Sequence, residues 1–157
     1  MGGLKIVDMS NGANLQRQNW GTNAPAWWRA NHGLCLESVC YNATCVAYGQ
    51  AVIMSIGYGI FDLGTQQITT RVPASLFSAA SNTTTTPKCP ICSQYVEPNT
   101  VAFNNCWWEF SGVNEYNQSC SSDWQHADDA YHRFNDNPNA KVIWIRLVLE
   151  VVKDKPT

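Results

Sequence analysis

Two cysteine pairs constrain this chain more than any other feature: Cys40 and Cys45 with four residues between them, and Cys89 and Cys92 with two. Close-spaced pairs separated by several dozen residues present four thiolates at the corners of a tetrahedron, the geometry that Zn²⁺ accepts in closed structural sites. A short spacer also lets each loop fold back so that backbone N–H groups bond to the sulfurs. The pattern CX4C–X43–CX2C is therefore zinc-ribbon-like, with one structural Zn²⁺ ion held by Cys40, Cys45, Cys89 and Cys92 and each pair at the tip of a hairpin. The alternative is two buried thiol pairs or disulfides. Cys106 is an alternative ligand, because it follows the strand that leaves the second pair, whereas Cys35 reads as a buried apolar thiol and Cys120 as a loop thiol.

The 157 residues suit one domain that can bury a core of its own, so a metal would organise part of the fold rather than replace the core. Charged residues make up only 14%, against roughly 25% in typical soluble domains, which predicts a surface rich in amides and hydroxyls. A formal charge of −2 gives no basic footprint and argues against a nucleic-acid partner. The apolar stretches Ala51 to Leu63 and Val142 to Val152 are too short or too interrupted to span a bilayer, which needs about 20 apolar residues. Polar residues from Asp8 to Arg17 stand where the apolar part of a signal peptide would lie, and seven cysteines is an odd count. Both point to a reducing, cytoplasmic location. Three sequons, at Asn42, Asn82 and Asn117, support the alternative of a secreted protein.

Local pattern predicts a β-rich α+β fold: a mainly antiparallel sheet containing the knuckle pair, with one packed helix. Residues 1–24 read as an N-terminal arm, and 25–157 as a single cysteine-rich zinc-binding domain with a flexible insertion at 73–87. Pro25 to Gly33 reads as a short turn carrying Trp27 and Trp28. Gln50 to Leu63 reads as two strands bent at Gly57 or Gly59, and Gln66 to Val72 as an edge strand. Val101–Phe103 and Cys106–Gly112 read as strands of a hairpin or meander turning at Asn104-Asn105, and Ser119–Ser122 as a loop. Trp124, Ala127, Tyr131 and Phe134, three and four apart, predict a helix over 123–134, and Val142–Val152 reads as the central strand.

No catalytic pattern matches the strength of the cysteine spacing. Cys89-Pro90-Ile91-Cys92 lacks the strand and helix that thioredoxin-type chemistry places around a CxxC. On the predicted helix His126 and His132 face opposite ways, and Asp129 with His132 is an ordinary surface pair. Trp27, Trp28, Trp107 and Trp108 are weighed as core residues and as an exposed surface for a partner or a sugar; of the adjacent Trp107 and Trp108, a strand turns one inward.

Gly33-Leu34-x-Leu36-Glu37-x-x-Cys40, Cys45-x-Ala47-Tyr48-Gly49, Ile56-Gly57-Tyr58-Gly59-x-Phe61-Asp62, Lys88-Cys89-Pro90-Ile91-Cys92 and Val96-Glu97-Pro98 followed by Phe103-Asn104-Asn105-Cys106-x-Trp108 together resemble an uncharacterised cysteine-rich domain of protists, oomycetes and fungi, often found after ubiquitin-like modules. The resemblance spans residues 33 to about 112. It implies zinc ligands at Cys40, Cys45, Cys89 and Cys92 with Cys106 as a further candidate, and it implies no activity. Two departures from that domain are the long stretch from Pro73 to Pro87 and a cysteine at position 35. Gly2-Gly3 matches the end of a ubiquitin-like module, and with the resemblance this leads to the expectation that the arm is a remnant of a fusion junction. The expected function is a non-enzymatic, zinc-stabilised protein-interaction module linked to a ubiquitin-like system, with a ubiquitin-like protein as partner. Two rivals stand beside it: a RING-like ubiquitin ligase, and a secreted disulfide-bonded glycoprotein that self-assembles or binds carbohydrate.

Overall fold

The computed structural model describes residues 3–21, 23–72, 81–135 and 138–156. Among these residues thirteen strands follow in chain order: β1 (Leu4–Val7), β2 (Leu15–Gln18), β3 (Gly33–Val39), β4 (Ala51–Gly57), β5 (Gly59–Leu63), β6 (Ile68–Val72), β7 (Ser81–Thr85), β8 (Thr100–Asn104), β9 (Cys106–Asn114), β10 (Ser119–Ser121), β11 (Gln125–Ala127), β12 (Tyr131–Phe134) and β13 (Lys141–Val152). They form two antiparallel sheets. The larger runs β10-β9-β13-β5-β6-β7, with β1 also on β13 and β11 also on β9; the smaller runs β2-β12-β8-β3-β4.

One core lies between the sheets. Leu4, Ile6, Phe61, Trp108, Phe110, Trp144, Leu147 and Leu149 from the larger sheet meet Leu34, Leu36, Val52, Val101, Phe103 and Phe134 from the smaller. Phe103 and Trp108 stack across this interface with centroids 4.2 Å apart and planes 3° from parallel. The smaller sheet is buried on its other face too, where Cys35, Ile53, Ala102 and Tyr131 pack under Trp28 and Ala30. Glu37 lies on that face, 3% exposed; Arg133 grips its carboxylate from Nη2 at 2.7 Å and the Tyr131 hydroxyl donates at 2.7 Å. A charge buried this deeply is tolerated because it is paired and hydrogen-bonded.

Burial on two faces explains where the sequence pattern misleads. The helix expected over 123–134 is absent: β11, a turn through Asp128–Ala130, and β12 replace it, and the described residues contain only 3-10 turns at Gly12–Asn14 and Pro138–Ala140. Tyr131 and Phe134 are three apart, so on a strand they point to opposite faces, and each face here has its own core. Spacing that resembled one helical stripe is a strand serving two cores.

Other expectations are refined in the same way. Asn104-Asn105 does turn the chain, with Asn105 at φ 50°, yet β8 and β9 belong to different sheets and form no hairpin. The bend at Gly57–Gly59 likewise carries the chain from one sheet to the other. Gly33, at φ 102°, packs so closely there that an added Cβ would lie 2.5 Å from the Gly57 carbonyl oxygen. Ile68–Val72 is an inner strand, because Ser81–Thr85 from the segment read as a flexible insertion pairs alongside it. Residues 73–80 of that insertion, and Met1-Gly2 of the junction reading, lie outside the described residues. Ser119–Ser121, read as loop, is β10. The stretch read as an arm supplies β1 to the larger sheet and β2 to the smaller.

The strand β13 is central as expected, flanked by β9 on one side and by β1 and β5 on the other. Its register shifts between Trp144 and Arg146, so the exposed Ile145 is an extra residue that lets Trp144 and Leu147 both face inward. The Trp144 indole N–H donates to the Val7 carbonyl at 3.2 Å, and its ring covers Gly112, where an added Cβ would meet the Arg146 carbonyl oxygen at 2.7 Å and the indole at 2.9 Å. Gly112→Ala is therefore expected to destabilise the fold by about 1–3 kcal/mol through overpacking, read as a lower midpoint in urea unfolding with an unchanged slope.

Candidate metal centre

Each cysteine pair sits in a loop whose backbone is tied to itself. The first loop joins β3 to β4: the Cys40 N–H donates to the Gln50 carbonyl at 3.2 Å, the Gly49 N–H to the Cys40 carbonyl at 2.7 Å, and the Cys45 N–H to the Asn42 carbonyl at 2.9 Å. The Asn42 side-chain oxygen accepts from the Thr44 N–H at 3.2 Å and its hydroxyl at 2.8 Å, a side-chain turn that shapes the approach to Cys45. The second loop links β7 in one sheet to β8 in the other. It is a hairpin only locally, closed by a bridge between Lys88 and Tyr95, with the Ser93 N–H donating to the Cys89 carbonyl at 3.0 Å and Ser93 itself at φ 63°.

These loops bring four sulfurs together. The Sγ atoms of Cys40, Cys45, Cys89 and Cys92 all lie within 4.8 Å of one another, and two of the separations are 3.8 Å (Cys40 to Cys92) and 3.9 Å (Cys45 to Cys89). A tetrahedron with metal–sulfur bonds of about 2.3 Å has edges of about 3.8 Å. The donor set thus has the dimensions of a tetrathiolate site and could hold a metal ion. Backbone N–H groups also reach the sulfurs, from Ala47 to Cys45 at 3.4 Å and from Ile91 to Cys89 at 3.5 Å, which supports the thiolate form and orients it. Cys40, Cys45 and Cys89 are buried and continuous with the main core, beside Ala47, Val52 and Val96.

The four thiols are electrostatically unequal. Burial pushes the Cys40 thiol up to about 12. The Cys92 thiol is drawn down to about 6, first by a hydrogen bond from the Asn42 side chain and then by the Gln94 backbone. Asn42 belongs to the first loop and Cys92 to the second, so this contact ties the two loops in addition to the sulfurs. Packing four ionised thiolates so closely is unfavourable without a cation among them, and a divalent ion reverses that balance.

Cys106 does not join the group. It is buried at the start of β9, where desolvation raises its thiol to about 12. Cys35 is fully buried on the outer face of the smaller sheet, and Cys120 is half-buried on β10. Of the tryptophans singled out by sequence, Trp108 is buried and the half-buried Trp107 points the other way, stacked on His126 at 4.5 Å. Trp27 is half-buried against the main core and accepts the Ile53 N–H through its carbonyl, while Trp28 packs on the outer one. The large apolar side chains that do stand exposed near the sulfurs are Tyr41, Val46, Tyr48, Ile91 and Tyr95. Reasoning from tryptophan passed over them. Their signal was position: each lies within three residues of a ligand-type cysteine, on a loop too short to bury them.

His126 and His132 lie on different strands in different sheets, not on two sides of a helix. His132 meets Asp128 rather than Asp129, with Nε2 2.7 Å from the carboxylate, and Arg17 closes on the same group at 3.0 Å.

No protein-family model, curated protein or solved structure matches the chain.

The hydrogen bond from Arg17, and next that with His132, hold the Asp128 carboxyl down at about 2. A carboxylate whose folded value lies below the roughly 3.9 of an unfolded chain contributes stability at and above that higher value, and the contribution vanishes as pH falls through the lower one. Parent protein and Asp128→Asn should accordingly differ in urea midpoint at pH 5–7, with the gap closing between about pH 4 and pH 2. A gap that is constant across that window would contradict the assignment.

Proposed function

We propose that this chain is a non-enzymatic, zinc-stabilised protein-interaction module. The observation that carries it is the convergence of Cys40, Cys45, Cys89 and Cys92 at tetrahedral spacing from two loops far apart in sequence. An all-sulfur, four-coordinate set favours Zn²⁺ among common divalent ions, and a site closed by four protein ligands leaves no open position for substrate. The ion's role is then to hold shape. What it holds is a surface: Tyr41, Val46 and Tyr48 on one loop and Ile91 and Tyr95 on the other stand exposed around the four sulfurs. The two loops, residues 40–50 and 86–99, carry only Lys88 and Glu97 as charged residues. A nearly neutral, tyrosine-rich patch on a rigid base is suited to a partner with an apolar patch of its own.

A ubiquitin-like partner or fusion is the specific form of this reading, and its support is the resemblance of residues 33 to about 112 to a domain found beside ubiquitin-like modules. The RING-like ligase has less support, since a RING needs eight ligands for two ions and the described residues assemble one group of four. The reading places the protein in a reducing compartment, where four thiols remain available to metal.

Native mass spectrometry of protein purified under reducing conditions should show one zinc per chain. Ser substitution at any of Cys40, Cys45, Cys89 or Cys92 should abolish stoichiometric binding and lower the melting temperature, whereas Cys106→Ser should retain the ion. Binding should weaken steeply on acidification, because each ligand must shed its proton to bind. Two zinc ions per chain, or zinc retained in the Cys92→Ser protein together with loss in Cys106→Ser, would refute the assignment. For the surface, Tyr48→Ser and Val46→Ser should leave zinc content and melting temperature unchanged while weakening capture of a ubiquitin-like probe about tenfold.

A further inference from the structure

We infer that a hollow on the outer face of the smaller sheet is a binding site for a neutral carbohydrate. The hollow has a volume of about 650 Å³, between the 19–32 segment and the sheet, with Ile53, Asn104 and Tyr131 among its lining. That volume lies within the roughly 300–1,000 Å³ typical of small-ligand sites. Its position is toward the opposite end of β3 from Cys40, so it does not depend on the reading of the metal centre.

Aromatic surface and polar groups meet there in a particular way. Trp20 is 43% exposed although it is held on both sides: its indole N–H donates to Asp129 Oδ1 at 2.9 Å, and its ring lies 5.9 Å from that of Tyr131. With its one polar atom already bonded, what Trp20 offers to a ligand is a flat apolar face. Trp28 adds a second ring, edge-on to Tyr131 at 6.2 Å. Asp129 accepts on the same Oδ1 from Asn105 Nδ2 at 3.2 Å, and among the described residues nothing donates to its other oxygen, which keeps its acceptor capacity.

The carboxylate is also pre-positioned from behind. Asn105 Nδ2 donates to the side-chain oxygen of the fully buried Asn104 at 3.0 Å, and Asn104 Nδ2 donates to the Asn31 carbonyl at 2.8 Å. This chain of amides locks the geometry that Trp20 and Asp129 share. Arg29, also in the lining, is tethered to the Ala24 carbonyl at 3.3 and 3.4 Å, which puts a cation in the same hollow as the carboxylate. Arg29 and Asp129 offset one another, with His32 beside them in the lining, which weakens the net pull that a phosphate or an ammonium ligand would need. A pyranose fits what remains: its C–H face stacks on an indole, and its hydroxyls both donate to a carboxylate and accept from a guanidinium or an amide.

The test uses the full chain loaded with zinc. Tryptophan fluorescence and calorimetry would follow titration with oligosaccharides of glucose (β-1,3 and β-1,4), N-acetylglucosamine and mannose, and separately with inorganic phosphate and tetramethylammonium. At least one oligosaccharide should bind saturably, and Trp20→Ala and Asp129→Asn should each weaken it by about tenfold or more at unchanged zinc content and melting temperature. Retained zinc with lost sugar binding separates this site from the metal centre. The proposal is overturned if none of the oligosaccharides saturates, if both variants bind as the parent does, or if phosphate or tetramethylammonium binds in a Trp20-dependent manner instead.

Discussion

Four sulfurs meet where two loops far apart in sequence come together. The loops that carry them, residues 40–50 and 86–99, contain isolated bridges but no ladder, so the sheets themselves do little to fix where those loops go. One loop closes a hairpin within the smaller sheet, and the other takes the chain from the larger sheet to the smaller. Their meeting links the two sheets through residues that belong to the main core, Cys40, Cys45 and Cys89 among them. Forty-three residues separate Cys45 from Cys89 in sequence, and closing a loop of that length costs entropy that the contacts between the two loops must offset.

Elsewhere the structure rests on ordinary burial, with one unusual demand. The smaller sheet is covered on both faces, by the larger sheet on one side and by the segment around Trp28 and Ala30 on the other. A strand such as β3 then has almost no exposed side, and Leu34, Cys35, Leu36, Glu37 and Ser38 are all buried. Glu37 is admissible only because Arg133 and Tyr131 come from the neighbouring part of the same sheet to meet it. The proposed sugar site exists for a related reason: a covering made of loop rather than of sheet does not fill the outer face completely.

The cysteine constellation was legible in the sequence because metal geometry is local and stereotyped, and spacing alone carries it. The β-rich class, the kink at Gly57–Gly59 and the central strand over 142–152 were legible too, since glycines and long β-branched runs act without reference to distant partners. Two kinds of information were not. Which sheet a strand joins is a long-range matter, so Val101–Phe103 and Cys106–Gly112 looked like one meander when Asn105 in fact passes the chain between sheets. Amphipathic spacing was the second, because it presumes one core: residues 123–134 serve two, and β12 therefore imitates helical periodicity. The Thr-rich stretch ending at Pro87 read as mobile because its side chains are small and polar, yet pairing of Ser81–Thr85 with β6 needs only the backbone.

The extra residue at Ile145 divides β13 into two halves that obey opposite parity. Before it, Trp144 is inward at an even position; after it, Leu147, Leu149 and Val151 are inward at odd ones. Ile145 works as a frameshift written into the backbone, and the count between Trp144 and Leu147 becomes a quantity that drift cannot alter one residue at a time. Swapping the exposed Ile145 side chain is cheap, but losing or gaining a single codon there would turn one part of the longest strand inside out.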